Sequence, residues 1–312
     1  MRSVPGISQV AISVRDRAQS RGFYEKLGFV YTGSMGPVKG EVPSRLLELS
    51  EIEATIDWMV GRDPMNQFEL IEFRRPIPRP LPSDWSMLCE GYSALGIVVP
   101  DFQAMLQLLV LTGTQRWITG SAPNRSAWLR DPNGVLVEIL ERDPLGLLPA
   151  ASGSEGLASL RTVSLTVRNA KRALERWVEG LGFMGSSQGH FSWNPWPPEF
   201  APSASDCDEE VIHGGSMLVR FMQPKDGAVR QRAQSYRLSD LGILNIAVIL
   251  ESVDAFHSRC AHLEARGFRF STTEAMIPGE DAGTRYGYDD QGNSVEIGFV
   301  IPGSEEKYGW RR

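Results

Sequence analysis

Residues Ile7–Val14 read ISQVAISV, and Asp16–Phe29 just after them read DRAQSRGFYEKLGF. Apolar and polar side chains alternate through the first stretch, the period of a strand buried on one face. In the second, apolar residues recur at three- and four-residue steps, the period of an amphipathic helix. That helix should end at Gly28, because Leu-Gly-Phe puts glycine where a helix terminus calls for a left-handed residue. The design returns 153 residues further on, where Leu160–Val167 read LRTVSLTV and Asn169–Phe183 read NAKRALERWVEGLGF, with Gly182 as the stop.

Two fainter copies lie between and after these. Ala94–Val99 (ALGIVV) leads into Asp101–Leu111, and Asn245–Leu250 (NIAVIL) leads into Ser252–Gly267. Each copy closes on a strand: Phe68–Phe73 (FELIEF), Val135–Leu140 (VLVEIL), Leu218–Met222 (LVRFM) and Ser294–Val300 (SVEIGFV). Tight-turn sequences, Asp131-Pro-Asn-Gly and Asp289-Asp-Gln-Gly, precede two of them. Gln9 and Ala94 are 85 residues apart, Thr162 and Asn245 83 apart. The spacing predicts an α+β chain of four βαβββ modules. Modules one and two would form domain 1 (1–145), with 146–158 as a linker. Modules three and four would form domain 2 (159–303), with 304–312 as a tail. Pro-rich connectors, RRPIPRPLPSDW at 74–85 and NPWPPEFAPSA at 194–204, interrupt the pattern.

Composition narrows the functional classes. A formal net charge of −6 without a basic run argues against a nucleic-acid partner. The longest apolar stretch, around Met105–Leu111, is too short to cross a bilayer, and the N-terminus lacks the pattern of a secretory signal. Cys89, Cys207 and Cys260 are too few and too widely spaced for a disulfide framework or a zinc pattern, so free thiols in the cytoplasm are expected. No Gly-rich phosphate loop, nucleophile elbow or Cys–His nucleophile signature appears.

The run VAISVRD…FYEKLGF, with DPNGVLVEIL closing the next module, resembles the vicinal oxygen chelate superfamily of glyoxalases, bleomycin-resistance proteins and extradiol dioxygenases. The resemblance implies paired βαβββ modules whose curled, mainly antiparallel sheets form half-barrel clefts. It also implies ligands from the first and last strand of each module, since alternate strand residues share a face. Those positions fall on Gln9 and Glu69 in module one, Ala94 and Glu138 in module two, Thr162 and Met217 in module three, and Asn245 and Glu296 in module four.

Domain 1 would therefore present Gln9, Glu69 and Glu138. This oxygen-only set suits Mg²⁺, Mn²⁺ or Ca²⁺ better than zinc or iron. Without a metal, one of its two carboxylates would be protonated or paired with an arginine. Domain 2 would be metal-free. The two-histidine-one-carboxylate triad of ring-cleaving dioxygenases is absent. His257 and His262 belong to the module-four helix, while His190 and His213 flank the insertion 185–215, where one could carry protons. Trp58, Trp128, Trp193 and Trp196, with Asn245 and Glu296, are candidate substrate-binding residues, because aromatic-lined pockets suit flat organic ligands.

Two readings follow. One is an enzyme acting on an oxygenated, partly aromatic small molecule, a lyase or isomerase rather than an oxygenase, with Glu138 and Glu69 as base and acid or as metal ligands. The other is a metal-free protein that sequesters such a compound. Elsewhere in the family the clefts serve small molecules, and a homodimer is admitted.

Overall fold

The computed structural model describes residues 6–63, 65–146, 157–186, 196–200, 207–225, 227, 229–272, 276–279 and 281–310. All four modules are present. Module one comprises β1 (Gln9–Val14), α1 (Arg17–Leu27), β2 (Val30–Lys39), a short α2 (Glu41–Leu46), β3 (Glu53–Val60) and β4 (Gln67–Arg75). Module two comprises β5 (Gly91–Val98), α3 (Phe102–Leu111), β6 (Trp117–Thr119), β7 (Ser126–Arg130) and β8 (Leu136–Leu140). Module three holds β9 (Ser159–Thr166), α4 (Ala170–Leu181), β10 (Met184–Ser186), β11 (Cys207–Gly214) and β12 (Met217–Pro224). Module four holds β13 (Gly242–Leu250), α5 (Val253–Ala265), β14 (Arg269–Phe270), β15 (Met276–Gly279), β16 (Ala282–Tyr288) and β17 (Ser294–Val300).

Local chemistry sets the helix limits. The side chains of Asp16, Asp101, Asn169 and Ser252 each accept a hydrogen bond from the backbone N–H three residues on, so the long helix of every module starts from a polar N-cap. Gly28 and Gly182 end α1 and α4 at φ of 105° and 74°. Only glycine adopts that conformation without penalty.

Sheet pairing departs from the expected domains. Each first strand runs parallel to the last strand of its own module, and the remaining pairings are antiparallel. The other edge of β1 pairs with β13, and that of β5 with β9. Module one thus shares a nine-stranded sheet with module four, and module two shares an eight-stranded sheet with module three. The expectation that modules one and two share a cleft is corrected accordingly. A first strand leaves one edge open, and nothing in its own sequence says which other module will cover it.

Modules one and two, and likewise three and four, do meet, but through helix and turn. The Asp131 carboxylate accepts backbone N–H bonds from Asn133 and Val135 within its own turn, and takes the Tyr24 hydroxyl of α1 at 3.3 Å. Asp289 repeats this with Gln291 and Asn293, and takes the Trp177 indole of α4 at 3.0 Å. One hydrophobic core unites the long helices with the inner faces of both sheets. The outer faces carry separate clusters, one built around Trp58, Phe73 and Trp310 and the other around Trp128, Phe200 and Met222. No helix among the described residues is long and apolar enough to cross a membrane.

The tail is not loose either. After a short 3₁₀ turn (Glu305–Tyr308), Tyr308 and Trp310 are buried against the module-one sheet.

Candidate functional site

The two-fold-like junction of β1 and β13 organises the first cleft. Gln9 lies opposite Ala247, and Ala11 opposite Asn245. Ala11 in turn neighbours Glu69 on β4, and Ala247 neighbours Glu296 on β17. Residues paired across a ladder, and those two apart along a strand, share a face. Gln9, Glu69, Asn245 and Glu296 therefore converge as two amides and two carboxylates on one surface. Gln9, Glu69 and Glu296 line a cavity of about 110 Å³ whose remaining wall is mostly aliphatic and aromatic.

Both carboxylates are buried and held. The Trp58 indole donates to Glu69 at 2.9 Å. Thr284 donates to Glu296 at 2.6 Å, Asn245 donates to it at 3.2 Å, and the Tyr286 hydroxyl bonds to it as well. Burial first, and then the Glu296 charge, push the Glu69 carboxyl up to about 8, against the pull of the Trp58 and Gln9 hydrogen bonds. Burial also raises Glu296, while its three hydrogen-bond donors oppose the rise. No Lys, Arg or His is among the described residues lining the cavity. Two carboxylates so placed need a proton or a cation between them.

The site's amides are oriented by the C-terminal segment. Gln67 donates from Nε2 to the Tyr308 carbonyl at 2.9 Å, which turns its oxygen towards Gln9. Gln9 Nε2 donates to that oxygen at 2.5 Å. The Asn245 side-chain oxygen is buried without a hydrogen-bond partner.

These features fit a hard divalent cation. The donors are all oxygen, two of them are uncompensated carboxylates, and an amide oxygen is left over. Hydrogen bonds from Trp58 and Thr284 to the carboxylates are the kind that orient metal ligands. Among the described residues no group of three or more His, Cys, Asp or Glu side chains could hold a metal. The set thus rests on two carboxylates completed by amides, a poor match for zinc or iron.

The second cleft is the first with its charge balance rebuilt. Gly96 neighbours Glu138 on β8 and lies opposite Thr162, while Ser164 lies opposite Ala94 and neighbours Arg220 on β12. By register, Glu138 and Arg220 occupy the positions of Glu69 and Glu296. Met217, expected from sequence at the module-three position, instead packs into the helix-side core. Arg220 pairs with Glu138 at 3.3 Å and with Glu209 at 2.6 Å, and Ser126 donates to Glu138 at 2.7 Å. Burial raises Glu138, while Arg220 and Ser126 pull it down. The expected grouping of Gln9 and Glu69 with Glu138 is therefore corrected, since Glu138 belongs to the other sheet and has an arginine of its own.

The other candidates fall as follows. Trp58 lines the first cavity. Trp128 is fully buried against Phe200 in the second cleft, where Trp196 also packs. Trp193 and His190 lie outside the described residues. His213 is on β11, with burial lowering its pKa. His257 and His262 are on α5. Sequence reasoning missed Arg220 and Trp310. Each carried a signal: a lone charge inside the apolar run MLVRFM, and an aromatic pair in YGW.

No family model matches the sequence, and no curated protein matches it. Solved structures do. Glyoxalase I from Zea mays aligns with a TM-score of 0.61 at 14% identity, covering 97% of this chain and 94% of that one. A mutant of the same enzyme reaches 0.64 with the same identity and coverage. A putative dioxygenase from Bacillus subtilis subsp. subtilis str. 168 aligns at 0.63 and 10% identity, covering 100% of this chain and 92% of that one. At such identities the likeness defines the fold, a tandem vicinal oxygen chelate architecture of four βαβββ modules.

Proposed function

We propose that the first cleft is the active site of an enzyme that moves a proton on the carbon beside a carbonyl, in the manner of a lyase or isomerase. The observation that carries this reading is the pair of buried carboxylates, Glu69 and Glu296, at the polar end of an otherwise apolar cavity. Glu296, with three side-chain donors, is the more firmly held of the two. Glu69 is the proton carrier. With no cation between the two carboxylates, its raised pKa lies close to neutral pH, where a group both takes and returns a proton efficiently. Trp58 fixes its orientation, and the apolar wall keeps water from competing for the proton. A divalent Mg²⁺, Mn²⁺ or Ca²⁺ ion would be held by Glu69, Glu296 and the amide oxygens of Gln9 and Asn245, and when bound would polarise the substrate carbonyl.

The test is deuterium exchange from heavy water into neutral aryl and alkyl α-hydroxyketones, followed by proton NMR with and without added Mg²⁺ or Mn²⁺. Exchange catalysed by the unmutated chain should fall by roughly 100-fold or more in Glu69→Gln and Glu296→Gln. It should persist in Glu138→Gln. Exchange that survives Glu69→Gln, or that vanishes in Glu138→Gln, sinks the assignment. The apolar wall also supports a second reading, sequestration of an apolar compound, which would give binding without exchange for every ketone tried.

A further inference from the structure

The indole N–H of Trp310 is buried and has no acceptor. Trp310 lines the same cavity as Glu69 and Glu296 and is 4% exposed. Buried polar groups nearly always have a partner, so a persistent orphan on a residue that lines a cavity calls for an acceptor that arrives from outside.

Other donors around the cavity are already engaged. Trp58 serves Glu69, Thr284 and Tyr286 serve Glu296, and Gln9 serves Gln67. The Tyr308 hydroxyl donates to Asp281 at 2.7 Å. That leaves the Trp310 indole uncommitted in this group.

Its position is built rather than incidental. The Trp310 backbone N–H closes on the Glu305 carbonyl at 3.1 Å. Thr32 donates to the Gly309 carbonyl at 2.6 Å, and Gln67 donates to the Tyr308 carbonyl. Lys307 pairs with Asp281 at 2.9 Å. Gln67 thus ties this segment to Gln9 and the carboxylates, so the ring and the reactive end of the cavity are held in one frame.

We infer that Trp310 is the specificity-determining residue of this site, its indole N–H donating to an oxygen of a neutral, largely apolar ligand. The inference rests on the first cleft being the ligand site. Neutrality follows from charge. The described wall offers no basic side chain, and a divalent cation would only balance Glu69 and Glu296, so a ligand anion would go uncompensated.

Three probes of similar shape test this on the full chain by titration calorimetry: acetophenone, α-methylstyrene (methylene in place of the carbonyl oxygen) and benzoate. The unmutated protein should prefer acetophenone to α-methylstyrene. Trp310→Phe should abolish a preference of roughly fivefold or more while leaving α-methylstyrene binding nearly unchanged. Benzoate should bind more weakly than acetophenone to both. A second readout needs no variant: the Trp310 indole ¹H–¹⁵N resonance should move downfield with acetophenone and not with α-methylstyrene. If both neutral probes bind and neither the preference nor the resonance responds, the role of Trp310 is wrong while the site stands. Benzoate binding as tight as acetophenone overturns the neutral-ligand claim. If no probe binds the unmutated chain, the first cleft is not the ligand site, and both readings fall together.

Discussion

At the scale of single residues, the two clefts show one strand pattern with opposite electrostatic solutions. Where module three supplies Arg220, Glu138 has a permanent counter-charge. Where module four supplies Glu296, Glu69 has a second carboxylate beside it. The carboxylates are legible in the sequence, but their partners depend on which modules meet, so sequence alone groups Glu138 with the wrong pair. The difference has a measurable linkage. Glu69 titrates near 4.5 when unperturbed and near 8 when folded. Between those values the folded protein holds more protons than the unfolded chain, so stability is greatest below about pH 4.5 for this group and declines as pH rises through about 8. Urea unfolding of chelator-treated protein should show that decline. Glu69→Gln should flatten it, and added Mg²⁺ or Mn²⁺ should reverse it at the alkaline end, because a cation replaces the proton. A slope unaffected by Glu69→Gln would place the raised carboxyl elsewhere.

At the scale of elements, what is legible is what local period and capping determine. The four long helices, the glycine stops of two of them and the closing strands sit close to where alternation and three-to-four spacing put them, and Ser294–Val300 coincides with its expected span. The C-terminal segment reads as a tail in the sequence because nothing in its local pattern forms a long element. Its order comes from tertiary contact. Gly309 has φ of 84°, and a Cβ there would lie 2.6 Å from the Trp58 Cβ. Gly309→Ala therefore meets both a strained backbone and a clash with a residue that orients Glu69. It should cost about 1–3 kcal/mol of stability, seen as a lowered Tm, and should change the fluorescence of Trp58 and Trp310 as the segment lifts. A variant with unchanged Tm and emission would mean that the segment does not press on Trp58 as described.

At the scale of the whole molecule, the cross-paired sheets decide how the chain can be divided. Each sheet takes one module from each sequence half, joined by the β1–β13 and β5–β9 ladders. The buried Arg161–Asp143 ion pair spans the same divide at 3.2 Å. Within each sequence half the two modules meet through helix and turn, so a half on its own keeps the Tyr24–Asp131 contact yet leaves both first-strand edges unpaired. Open edges of that kind seek other chains. Cutting within 147–156 and producing 1–146 and 157–312 separately should therefore give halves that aggregate or self-associate. Producing them together should give a 1:1 complex with the circular dichroism of the intact chain, unfolding in one cooperative transition. The same logic places Glu69 and Glu296 on different fragments, so cation-dependent stabilisation should appear only in the reassembled pair. A monomeric, cooperatively folded 1–146 fragment would mean that modules one and two can close a sheet together, and the cross-paired arrangement would then not be what holds the two carboxylates in one cleft.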